Sequence, residues 1–131
     1  MIFLDTGYFK ALHDEKDPNH KASLKIRDYI KEQKEKTVIN TTVIVETLNR
    51  VNGSYDIVKK VYDDLREKNK VIELTGEDYE KSLDVSAWFG NSINYSDCTI
   101  LNTMMNMGID TIVSFDGDFR KIDFLQVIFA M

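Results

Sequence analysis

Several residue types are scarce in this chain of 131 residues, and each scarcity closes a route. The single cysteine, Cys98, cannot form an internal disulfide, and that usage fits a reducing compartment. Two histidines, His13 and His20, fall near a predicted loop, so a zinc site built from clustered His and Cys lacks its donors. One proline and six glycines, with no Gly/Ser tract, leave no linker at which to divide the chain. One domain over residues 1–131 is therefore expected. No apolar run is long enough to span a bilayer, and "MIFLD" meets an acid too early for a signal peptide, so a cytoplasmic protein is expected. An excess of positive charge is missing too. With 17 basic against 22 acidic residues the net charge is −5, which argues against holding nucleic acid by bulk charge. It does not exclude an enzyme whose phosphate affinity comes partly from bound metal.

Apolar residues make up 43% of the sequence and charged residues 30%, a balance that supports a folded core without disulfides. Short apolar runs at 2–4, 37–39, 71–74, 111–115 and 126–130 suit a buried parallel sheet. Helical patterns fall between them. Val58, Val61, Tyr62 and Leu65 form one stripe; Ala22, Ile26, Tyr29 and Ile30 another; Ile100, Leu101, Met104 and Met105 a third. Tyr79, Leu83 and Trp88 make a less regular stripe over 76–88. "DPNH" (17–20) separates the first two helices, and Gly108 is placed to end the helix over 96–107. The basic residues of 20–36 are mixed with acids and read as a solvated helix face. Alternating strands and helices predict an α/β sandwich with a mostly parallel sheet of four to five strands. In such sheets function gathers at the carboxyl ends of the strands.

Acids stand at those ends. Asp5 follows the first strand, and Asp116 and Asp118 follow "TIVSF". Asp97 opens a helix behind a cap at Asn94 or Ser96, and Glu46 lies in "TTVIVETLNRV" among neighbours apolar nearly all round. Each has an ordinary structural role open to it. Asp5 could form an Asx turn, Asp97 could answer a helix dipole, and the Asp-Gly pair 116–117 could be a hairpin turn. Glu46 could pair with Arg50 at i+4. Brought to one mouth, though, carboxylates about 5 Å apart repel by about 3 kcal/mol per pair at an effective dielectric of about 20. Such a cluster calls for a counter-ion, and all-oxygen donors without His or Cys suit Mg²⁺ or Mn²⁺. Cys98, with no base nearby in sequence, reads as packing.

Four segments in order, "FLDTGYF", "TTVIVETLNR", "YSDCTIL" and "TIVSFDGDF", resemble a PIN domain, most closely the VapC-type toxin ribonucleases. The resemblance covers essentially the whole chain. It implies a three-layer α/β/α sandwich and a metal-dependent endoribonuclease that hydrolyses RNA phosphodiester bonds, held inactive by a cognate antitoxin and often a homodimer. Asp5, Glu46, Asp97 and Asp116 match the family's acidic quartet, which implies catalytic and metal-ligating roles. Thr6 and Ser114 match supporting hydroxyl positions, and Asp118 a more variable acidic one. Other functional classes remain as rivals. One is a catalytically idle PIN-like module that only binds RNA or protein; another is an RNA-processing nuclease without an antitoxin. A receiver domain would want adjacent acids after its first strand and a Lys after its last, and a haloacid-dehalogenase-type phosphatase would want an acid at residue 7, which is Gly.

Overall fold

The computed structural model describes residues 1–131. Five strands form the sheet: β1 (Ile2–Leu4), β2 (Thr37–Asn40), β3 (Lys70–Ile72), β4 (Thr111–Val113) and β5 (Gln126–Ile128). Six helices connect them: α1 (Thr6–His13), α2 (His20–Glu32), α3 (Thr41–Asn49), α4 (Tyr55–Lys68), α5 (Gly76–Trp88) and α6 (Tyr95–Met107). The strand order is β3-β2-β1-β4-β5, and every pairing is parallel. The expected mostly parallel sheet is thus wholly parallel. Right-handed crossovers through α1–α2 and α3–α4 build the sheet one way from β1, and α5–α6 return the chain to its other side. Helices therefore cover both faces, giving three layers, and the strand order reverses between β1 and β4. That switch point opens a crevice at the carboxyl ends of the two strands.

Burial on both sides explains why the strands read as unbroken apolar runs. Phe3, Val38, Ile39, Ile112 and Val113 are fully enclosed, and Ile100, Leu101 and Met104 of α6 pack among the same core. Each such side chain contributes roughly 1.5–3 kcal/mol of burial. Gly108 ends α6 in the left-handed region (φ 67°, ψ 31°), where a side chain is strained. The alternative reading of Asp116-Gly117 as a hairpin turn fails. β4 and β5 run parallel, and between them Gly117–Lys121 winds into a 3-10 turn that Asp116 caps by accepting from the Asp118 N–H.

Helix α5 corrects another expectation. Tyr79, Leu83 and Trp88 were expected to face the core, yet Leu83 is 59% exposed and Trp88 84%. Ser82 and Val85 are the enclosed positions, and the Ser82 hydroxyl satisfies itself on the Asp78 carbonyl at 2.7 Å. The α5 stripe is therefore narrower and more polar than its large residues suggest. Met105, likewise expected on the buried stripe of α6, faces outward beside Trp88 and Phe124.

One buried polar network ties the two halves together. Asn40, fully enclosed at the end of β2, caps α3 by accepting from the Val43 N–H at 3.2 Å. Its amide donates to the Thr99 carbonyl and the Thr103 hydroxyl of α6, at 3.3 and 3.1 Å. Thr42 and Thr99 share a further bond of 2.9 Å. This fixes α3 against α6 across the sheet's carboxyl edge. Asn40→Ala removes a cap worth about 1 kcal/mol and strands buried partners worth about 1–3 kcal/mol more. Urea denaturation should therefore find a loss of roughly 2–4 kcal/mol; a loss below about 1 kcal/mol would show that the network holds nothing.

Candidate active site

Five acidic residues from four separate segments gather at the switch point. A hollow of about 300 Å³ is lined by Asp5, Glu46, Asp97 and Asp116 together with Thr6, Gly7, Arg50, Asn94 and Ser96, and no hydrophobic residue lines it. The elements dictate this convergence. Asp5 caps α1 directly after β1, Glu46 is in α3, Asp97 lies in the first turn of α6, and Asp116 stands three residues beyond β4.

The hydrogen bonds show which groups are held. Asp5 accepts from the Thr6 N–H through Oδ1 and from the Ser114 hydroxyl through Oδ2, both at 2.8 Å. Ser114, fully buried, also accepts the Asp116 N–H at 3.1 Å, so one hydroxyl couples the end of β1 to the loop after β4. The Thr6 hydroxyl donates to Glu46 Oε1 at 3.4 Å. Glu46 itself is half-buried rather than enclosed, because Val45 beside it points to solvent and the apolar front of α3 is narrower than its sequence suggests.

Asp97 stands in the field of all four other acids. It is only 8% exposed, and its Oδ2 has no hydrogen-bond partner. Burial, followed by the negative charges of Asp5, Asp116, Glu46 and Asp118 in that order, pushes its pKa from the ordinary 3.8 up to about 7. Asp5 is also raised, chiefly by burial and against the pull of its Ser114 and Thr6 hydrogen bonds. The tightest grouping is Asp97, Asp116 and Asp118, each offering a carboxylate oxygen within 4.8 Å of the others. Asp118, read from sequence as a supporting position, thus stands nearer the centre of the cluster than expected, although it also engages Lys121 at 3.1 Å.

Two further expectations resolve here. Asn94 occupies the cap position of α6 without a side-chain cap bond, and it and Ser96 line the hollow instead. The Glu46–Arg50 ion pair does not form: Arg50 makes no ion pair at all, and its side chain lines the acidic hollow. Sequence spacing alone could not reveal Arg50, because an i+4 acid offered it a sufficient role. His20 bonds the Ala11 carbonyl at 2.7 Å, and Cys98 is buried with its thiol pKa raised by that burial.

Because the folded Asp97 keeps its proton to about pH 7, whereas the unfolded chain releases it near 3.8, the native state binds the extra proton between those values. Stability of the metal-free protein should therefore fall as pH rises from about 4 to about 7 and level off above. Asp97→Asn should make that slope shallower and be more stable than wild type at pH 8, with the contribution of the raised Asp5 remaining. Urea melts across this pH range, with identical slopes in both proteins, would contradict the assignment.

The chain matches the PIN domain family over residues 2–125. It is 29% identical over 109 residues to Ribonuclease VapC6 of Methanocaldococcus jannaschii, covering 70% of this chain and 69% of that one. Among solved structures it is similar to Mycobacterium tuberculosis VapC20, a sarcin–ricin loop cleaving toxin. That likeness has a TM-score of 0.73 at 21% identity, over 92% of this chain and 94% of the other. It is also similar to VapBC2 of Rickettsia felis, solved bound to a promoter DNA fragment, with a TM-score of 0.70 at 15% identity over 97% of each chain. No helix is long and apolar enough to cross a membrane. With its wholly parallel five-stranded sheet, acids at the switch point and a match across nearly all its length, the chain belongs to the PIN domain family.

Proposed function

We propose that this chain is a metal-dependent endoribonuclease of the VapC type, acting in the cytoplasm as a single domain over residues 1–131 and restrained by a cognate antitoxin. One observation carries the reading: four carboxylates remote in sequence line one hollow, and one of them, Asp97, is buried with an unpartnered oxygen among the charges of the others. The likeness to a ribonuclease at 29% identity supports the reaction class, and the VapBC2 assembly supports the antitoxin.

The donor set fits a hard divalent cation. All candidate ligands are carboxylate oxygens, and the buried Asp97 Oδ2 has no protein partner. Asp5, Asp97 and Asp116 would hold Mg²⁺ or Mn²⁺, with Glu46 and Asp118 as further ligands, direct or through water. When bound, the ion would supply charge neutralisation at the phosphate and a lower pKa for an attacking water. The protein's own part is to position. Ser114 and the Thr6 N–H hold both oxygens of Asp5, so its carboxylate does not swing when its partners change. Thr6 steadies Glu46, and the Asp118 N–H fixes the rotamer of Asp116. Side chains locked this way need little reorganisation as charge develops on the reacting phosphate.

Two experiments test the reading. Asp116→Asn should lower Mn²⁺-supported cleavage of bacterial RNA by about 10²-fold or more, the scale of losing one charge-stabilising group. Its melting temperature should hold or rise as repulsion is relieved, and a cleavage rate equal to wild type would remove Asp116 from the site. Millimolar Mn²⁺ should raise the melting temperature of wild type, since a ligand that binds only the folded state stabilises it. It should do so less in Asp97→Asn, and equal shifts in the two proteins would detach Asp97 from the metal.

A further inference from the structure

A second hollow, of about 420 Å³, adjoins the acidic one. It lies between α1 and α3, with Phe9, Lys10 and His13 on one wall and Thr47, Arg50 and Asn52 on the other. Arg50 is the one residue that lines both hollows. Other basic side chains are engaged: Lys10 pairs with Asp17 at 3.1 Å, Lys121 with Asp118 at 3.1 Å, and Arg120 stacks over Phe129 at 4.0 Å. Arg50 alone stands uncompensated beside the carboxylates. Thr47 supplies a second, independent observation. It is 2% exposed, lines the cleft, and its hydroxyl has no partner. A helical threonine ordinarily bonds a carbonyl one turn back, and buried hydroxyls without partners are uncommon.

We propose that this cleft seats the nucleotide next to the scissile phosphodiester, with Arg50 contacting the phosphate that joins the two and the Thr47 hydroxyl, enclosed and unpartnered as it stands, turning about χ1 to bond the seated sugar or base. The inference rests on the ribonuclease reading and adds the substrate's path to it. Charge supplies the reason. Five carboxylates, one of them paired with Lys121, less one divalent ion leave two negative charges, so an RNA phosphate beside the reacting one is repelled unless a cation faces it. Arginine stays charged and offers a planar fork matched to phosphate oxygens. Beyond Arg50 the cleft holds no spare cation, because Lys10 is matched by Asp17 and the other charged group in the lining is the Asp14 carboxylate. The cleft suits an uncharged nucleoside rather than a further run of phosphates, and its volume lies within the roughly 300–1,000 Å³ of small-ligand sites. An unpaired cation at the seam with the carboxylates, and an unsatisfied hydroxyl in the cleft beside it, favour a polyanion that spans both hollows over a protein segment.

The test measures RNA binding and turnover separately. In the Asp5→Asn background with Mn²⁺, so that bound RNA is not cut, the probe is a fluorescein-labelled, mixed-sequence single-stranded RNA of about a dozen nucleotides, followed by anisotropy across a salt series. Adding Arg50→Ala should weaken binding several-fold and lower the salt slope by about 0.7, one phosphate's worth for a single strand. Arg50→Lys should keep the slope and recover part of the affinity. Thr47→Val, nearly isosteric, should weaken binding a few-fold with the slope unchanged. With the catalytic acids intact, Arg50→Ala should raise KM for bacterial RNA and largely spare kcat. If the Asp5→Asn parent binds this RNA and wild type cleaves, but Arg50→Ala matches in affinity, slope and KM, the inference is overturned and the ribonuclease reading stands; the cleft would then be open to a protein partner. Absence of any RNA cleavage by wild type in Mn²⁺ would overturn the ribonuclease reading and this inference with it.

Discussion

Repulsion among carboxylates at the open edge of the sheet is the constraint to which the rest of the molecule answers. At an effective dielectric of about 20, each pair about 5 Å apart costs about 3 kcal/mol. A chain that collects several of them must hold them by other means. It does so with groups that are themselves buried and fixed. The Ser114 hydroxyl and the Thr6 amide grip Asp5, and the same Ser114 oxygen anchors the loop that brings Asp116. Asp97 is given no such partner, and burial together with the charges of its neighbours pushes its pKa up.

The scaffold behind this edge is a topological one. Strand order reverses between β1 and β4, so their carboxyl ends diverge, and the residues that follow them face a common gap. Asn40 then sets α3 and α6 relative to each other, and these helices carry Glu46 and Asp97. A buried amide with every bond made is a more exacting spacer than apolar packing, because a small shift breaks several bonds together. Local stability and site geometry are here properties of the same contacts.

Much of this could be read from the order of residues, for identifiable reasons. The three central strands, enclosed by helices, are continuous apolar runs, and the half-buried edge strands carry short apolar runs too, so all five were located, though the last strand and the two ending near residues 74 and 115 proved shorter than their runs. Acids directly after strands have few places to go in a parallel sheet, which is why Asp5 and Asp116 were legible. Other features were masked by ordinary chemistry. Asp-Gly imitates a hairpin, but the parallel pairing of β4 and β5 leaves no hairpin to turn. The large residues of α5 imitate a buried stripe, while Ser82, small and self-satisfied, takes the enclosed place. Asn40 looks like a turn residue because its partners lie 59 and 63 positions away. Arg50 looked occupied by Glu46, and only the three-dimensional arrangement separates them.

Whether these acids share a divalent cation is tested without reference to activity by anomalous diffraction from crystals soaked in Mn²⁺. The expected result is anomalous density in the hollow bounded by Asp5, Asp97 and Asp116, lost on addition of a chelator. Density confined to other surfaces at saturating Mn²⁺, with this hollow holding only water, would contradict the claim.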